Sequence, residues 1–172
     1  MITLVLGGTR SGKSEVAESL AAAGHGGTVT YVATGTPYDD DMAARIAAHR
    51  ARRPASWPTL EAGTDLPAVL ESVQGPALVD SLGTWVAAHA GLSPDTDSLQ
   101  RALAARTADT IIVSEEVGLG VHAETEAGRR FADVLGELNR AVAAVADEVL
   151  LVVAGRVLPL TPIEGLGLPD HR

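Results

Sequence analysis

Gly7, Gly8, Thr9, Arg10, Ser11, Gly12, Lys13 and Ser14 follow one another directly and spell G-x-x-x-x-G-K-[ST]. In this pattern glycines let the backbone wrap so that successive N–H groups face an anion, and the lysine reaches the β- and γ-phosphates of a nucleotide. The serine hydroxyl takes a place on Mg²⁺. A glycine-rich turn that only joins a strand to a helix is the bland reading, but both flanks agree with the chemical one. The apolar residues "ITLVL" at 2–6 precede the turn, and the helix-forming "SEVAESLAAA" follows it, adding a positive dipole end at the same spot.

Three further clusters carry reactive groups. "PALVD" at 76–80 ends an apolar run in Asp80, where an acid at the carboxyl edge of a parallel sheet is placed to hold Mg²⁺; a helix N-cap is the other reading. "YDDDMAARIAAHRARRPASW" at 38–57 puts Asp41, Arg45, His49 and Arg52 or Arg53 on one helix face. Such a face is often only solvated, yet a neutral imidazole is a competent nucleophile toward phosphorus, and neighbouring guanidiniums steady the charge during transfer. "VSEEVGLGVHAE" at 113–124 offers Glu115 and Glu116 as a base or metal ligand, with a solvated acidic loop as the alternative. His25, His89 and His171 read as surface or turn residues, while His122 stays open.

The elements that must position these groups are legible as periodicity. Strands are expected at 2–6, 28–33, 76–80, 110–114 and 148–153, and helices at 13–23, 39–53, 65–73, 81–90, 97–107 and 124–146. Asp39 and Asp65 are candidate N-caps, and "GHGG" at 24–27 reads as a helix stop. Strands that are apolar at nearly every position are covered on both faces, which favours a mostly parallel sheet in an α/β three-layer sandwich. Residues 1–155 then make a single catalytic domain, and the Pro- and Gly-rich stretch 156–172 a surface tail or arm.

Composition bounds the partners. The chain has 172 residues and a net charge of −9, with no basic block, so a nucleic-acid partner is not expected. The bound anion must be met by a few placed cations. No run of about 18 apolar residues is present, so no membrane span is expected. With the start directly in a strand, no signal peptide is expected, and the absence of cysteine fits a cytoplasmic location. With five aromatic residues, Trp57, Trp85, Tyr31, Tyr38 and Phe131, the core must be aliphatic.

Taken together, "LVLGGTRSGKSEVAE", "YVATGTPYDDDMAARIAAHRARRPASWPTLE", "ALVDSLGTWV" and the segment from "VSEEVGLGVHAE" to "LLVVAG" resemble the bifunctional adenosylcobinamide kinase and adenosylcobinamide-phosphate guanylyltransferase of cobalamin biosynthesis. The resemblance covers residues 1 to about 155, and its selective parts are the D-D-x-M-x-x-R-I-x-x-H-x-x-R-R-P helix and the E-V-G-x-G loop. It implies a RecA-like phosphate-loop NTPase fold, a homotrimer, and two reactions that use ATP or GTP and then GTP. The first phosphorylates the aminopropanol hydroxyl of the corrinoid adenosylcobinamide. The second passes GMP through a histidine, placed by the resemblance at His49, to give adenosylcobinamide-GDP. Catalysis is thereby carried over to His49 and Lys13. Nucleotide contacts carry over to Gly7 through Ser14, to Ala33, Thr34 and Gly35, to Arg50, Ala51, Arg52 and Arg53, to Glu61 and to Asp80, with Mg²⁺ on Ser14 and Asp80. Glu115 stands where relatives often have asparagine. A phosphate-loop kinase without nucleotidyl transfer would release no pyrophosphate from GTP, and a nucleotide-binding regulatory module would modify no corrinoid.

Overall fold

The computed structural model describes residues 1–25, 28–35, 47 and 50–162. Its strands are β1 (Ile2–Gly7), β2 (Thr30–Ala33), β3 (Thr59–Glu61), β4 (Ala77–Asp80), β5 (Thr110–Glu115), β6 (Glu148–Val153) and β7 (Arg156–Pro159). They form one sheet in the order β3-β2-β4-β5-β1-β6-β7. Every pairing is parallel except that of β6 with β7. The helices are α1 (Lys13–His25), α2 (Leu66–Ser72), α3 (Leu82–Ala88), α4 (Thr96–Ala104) and α5 (Glu126–Ala143), with a 3₁₀ turn at Ala90–Leu92.

Two hydrophobic layers follow from the alternation of side chains along each strand. Ile2, Leu4 and Leu6 of β1 pack with Leu66, Leu82, Trp85, Leu103, Leu135 and Leu138 from α2 to α5. Val5 of the same strand points to the other face, with Ala17 and Ala21 of α1, Tyr31, Trp57 and Val113. The expected three-layer α/β sandwich is therefore the fold observed. Trp85 is fully buried, and its indole N–H donates to the Thr64 carbonyl at 3.0 Å. Arg106 stitches the α2 exit to β5: it donates to the carbonyls of Leu70, Val73 and Gly75 and to Thr110 Oγ1.

Two strands were not expected. β3 is three residues of mixed polarity after Pro58, too short to show alternation, and is recruited by pairing of Tyr31 with Thr59 and Ala33 with Glu61. β7 begins where a tail was expected, folding back on β6 through a turn with Ala154 at φ 50° and Gly155 at φ 70°. Asp65 precedes α2, but its side chain makes no capping hydrogen bond. Most of the expected 39–53 helix, with Asp39 and His49, lies outside the described residues; residues 47 and 50–52 are helical.

Candidate active site

The site sits at the carboxyl edge of the parallel strands, where chain direction turns from strand to helix. β1 ends at Gly7, in register with Glu115 of β5 and Val152 of β6. The loop then closes on itself. Ser11 N–H donates to the Gly8 carbonyl at 3.2 Å, and Lys13 N–H to Ser11 Oγ at 3.3 Å. Gly12 has φ 93°, a conformation that L side chains resist, so glycine is needed there for α1 to start at Lys13. Gly155, in the β6–β7 turn, donates its N–H to the Ser11 carbonyl at 2.8 Å and steadies the loop from outside.

This loop is one wall of a cavity of about 980 Å³. Thr9 through Ser14, Ala33, Gly35, Arg50, Arg52, Arg53, Glu61 and Asp80 all line it, so most of the residues singled out in the sequence converge. Gly7 and Gly8 shape the loop instead: Gly7 is a buried strand end, and the Gly8 carbonyl accepts from Lys13 Nζ at 3.4 Å. Thr34 lies just behind the lining, 1% exposed, accepting from Ser81 N–H at 2.9 Å and donating to the Ser81 carbonyl at 2.6 Å. Ala51 is exposed on its helix and is not in the lining. His49 lies outside the described residues, while Arg50, Arg52 and Arg53 next to it in sequence reach the cavity. A chain of net charge −9 thus gathers Arg10, Lys13 and three further arginines at one place.

The acids have distinct roles. Asp80, at the end of β4, accepts from Tyr31 OH at 2.8 Å. It does not cap α3; that is done by Ser81, whose hydroxyl accepts from Thr84 N–H in a capping box. Burial first, and then the Asp80 carboxylate, push the Tyr31 phenol well above its ordinary pKa, so it remains a hydrogen-bond donor. Glu115 accepts from two donors, Ser81 Oγ at 3.0 Å and Gly83 N–H at 3.1 Å, and forms an ion pair with Lys13 Nζ at 3.7 Å. A Cβ at Gly83 would collide with the Glu115 carboxylate, meeting Cδ at 2.9 Å, so the slot exists because residue 83 is glycine. Of the two readings for this loop, Glu115 fits a placed carboxylate, whereas Glu116 folds back to accept from Gly118 N–H at 2.6 Å. Tyr31, Ser81, Thr84 and Gly155 are lining residues that sequence reasoning missed. His122 is exposed.

The loop and the cations around it line one cavity, and comparison with known proteins places the chain in a family. The family model described as cobinamide kinase / cobinamide phosphate guanyltransferase matches residues 3–160. The chain belongs to this family. The family reading makes it an enzyme, a bifunctional kinase and guanyltransferase of cobalamin biosynthesis built on a phosphate-loop NTPase fold. The bifunctional adenosylcobalamin biosynthesis protein CobP of Pseudomonas aeruginosa is 41% identical over 169 residues, covering 93% of this chain and 97% of the relative. The corresponding CobU proteins of Escherichia coli and Salmonella typhimurium are each 35% identical over 177 residues, with 90% and 97% covered. Among solved structures, a prototypical ATPase from the type III secretion system of pathogenic bacteria shares the fold, with a TM-score of 0.56 at 12% identity. That match covers 87% of this chain, which spans 50% of the ATPase chain.

Proposed function

We propose that the cavity binds a nucleoside triphosphate by its phosphates and serves both steps in turn. In the first, the corrinoid's aminopropanol oxygen attacks the γ-phosphorus of ATP or GTP, an O–P bond forms, and the bond to the β-phosphate oxygen breaks. Lys13 and the loop N–H groups stabilise the charge that gathers on the transferred group. In the second, the His49 imidazole attacks the α-phosphorus of GTP and pyrophosphate leaves. A phosphate oxygen of adenosylcobinamide phosphate then displaces His49 to give adenosylcobinamide-GDP. Arg50, Arg52 and Arg53 carry the charge on the phosphates beside His49.

Ser14 and Asp80 both line the cavity and offer a hydroxyl and a carboxylate, an oxygen donor set that fits Mg²⁺. Held by Ser14 and Asp80, magnesium would neutralise phosphate charge at this edge.

The observation that carries this reading is the convergence of Lys13, Arg10, Arg50, Arg52 and Arg53 on one cavity directly beyond β1. Incubation with labelled GTP tests it. An acid-labile, base-stable protein–GMP adduct and stoichiometric pyrophosphate are expected, and both vanish in His49→Ala. An adduct that persists in that variant removes His49 as nucleophile, and absence of pyrophosphate leaves a kinase alone. The working unit we infer is a cytoplasmic homotrimer of one catalytic domain; the boundary expected at residue 155 moves outward, because β7 at Arg156–Pro159 belongs to the sheet. Support comes from the family resemblance and from Val153, Val157 and Leu158, exposed at the edge of the sheet. Light scattering of the purified chain checks the trimer.

A further inference from the structure

Tyr31 is buried to 5% exposure, yet its two ends touch two different parts of the site. Its hydroxyl donates to Asp80 Oδ2 at 2.8 Å, and the Arg53 guanidinium carbon lies 3.4 Å from its ring centroid. The ring has little freedom. β2 pairs with β3 and β4 on either side, Tyr31 opposes Leu78, and its own N–H donates to the Pro58 carbonyl at 2.9 Å. The neighbouring Arg52 is moored separately, with Nε 3.3 Å from Glu18 Oε2 on α1. The arginine segment after His49 is therefore fastened at two adjacent residues, once to the helix behind the phosphate loop and once to the aromatic ring under Asp80.

We propose that Tyr31 is a positioning residue that sets Asp80 and the arginine segment against each other, so that one side chain aligns the acid of the metal edge with the cations beside the nucleophile. This rests on the reading of Asp80 as the metal-side acid and of His49 as the GMP acceptor. The two halves of the contact separate chemically. Hydrogen-bond partners of a metal-side carboxylate orient it, and their loss commonly costs about tenfold or more in metal affinity. A guanidinium stacked closely on a ring holds its position by a directional attraction that a leucine cannot supply.

Three variants test the proposal by equilibrium binding and by single-turnover adduct formation. Tyr31→Phe keeps the ring and is expected to weaken Mg²⁺-dependent nucleotide binding about tenfold. Its binding without metal should change far less than its binding with magnesium. Arg53→Gln removes the stack together with a phosphate-facing charge and is expected to slow adduct formation at saturation at least about tenfold. Tyr31→Leu should combine both defects; should it not fold, the other two variants still decide. Wild-type metal dependence in Tyr31→Phe, or a wild-type adduct rate in Arg53→Gln, overturns the proposal. Asp80→Asn separates this from failure of the underlying reading. If Asp80→Asn keeps the metal dependence, the Asp80 assignment falls and takes the proposal with it. If Asp80→Asn loses it while Tyr31→Phe does not, only the Tyr31 proposal falls.

Discussion

Replacing Glu115 by glutamine should tighten nucleotide binding. The carboxylate lies 3.7 Å from Lys13 Nζ, where the terminal phosphates are to be received. At that separation two unit charges attract by about 4–5 kcal/mol at an effective dielectric near 20, and by about 1 kcal/mol in bulk water. The side chains are 12% and 29% exposed, so solvent screens the pair and the useful figure is near the lower end, about 1–2 kcal/mol. An incoming triphosphate must share Lys13 with Glu115 and bear its repulsion, because Ser81 and Gly83 keep the carboxylate in place. Glutamine retains an acceptor for those donors and removes the charge. The expected result is a metal-free triphosphate Kd lower by about tenfold, with the gain shrinking as salt rises. Calorimetric titration at low and high ionic strength measures both. An unchanged or raised metal-free Kd would refute the charge argument, and a loss confined to magnesium-containing titrations would make Glu115 a metal ligand instead.

Other outcomes follow from contacts already described. Lys13→Ala should weaken triphosphate binding by about 10–100-fold. Its thermal midpoint should shift by under about 3 °C, since Glu115 keeps two other donors; a large loss of stability would contradict a ligand-facing role. Gly83→Ala must displace the Glu115 carboxylate and should destabilise by about 1–3 kcal/mol in urea titrations. Most of that cost should disappear in a Glu115→Ala background, and strict additivity of the two would sink the slot. Arg106→Ala leaves the Leu70, Val73 and Gly75 carbonyls without their donor and should cost about 2–4 kcal/mol, lowering the melting midpoint by about 5–15 °C without altering nucleotide affinity. In alkaline titration the unfolded chain ionises Tyr31 near pH 10 while the native state keeps it protonated. The stability this contributes is complete below that pH and declines above it, and Tyr31→Phe should flatten the decline.

How much of this was legible in the sequence depends on whether the information is contiguous. The phosphate loop is eight adjacent residues, the strands β1, β4 and β5 are apolar runs buried on both faces, and β6 is an apolar run with exposed ends, so each announces itself. Strand order does not. β5 lies between β4 and β1, and that insertion is what brings Glu115 beside Lys13 and Ser81. In sequence Glu115 is one of two adjacent glutamates before a glycine loop, with nothing to separate the placed carboxylate from its neighbour. Tyr31 was legible only as an aromatic residue of an expected strand; its partners are 22 positions away at Arg53 and 49 away at Asp80. β3 and β7 escaped because three or four residues of mixed character show no period, and their pairing partners decide their conformation.

The bond from Gly155 to Ser11 joins the loop after β1 to the turn between β6 and β7, two segments far apart in the chain. During synthesis the glycine-rich segment leaves the ribosome early but lacks this brace until β6 and the turn beyond it have emerged. Competence to hold a triphosphate is therefore expected to arrive late and to report completion of the sheet, so that nascent fragments ending before β6 remain blind to nucleotide.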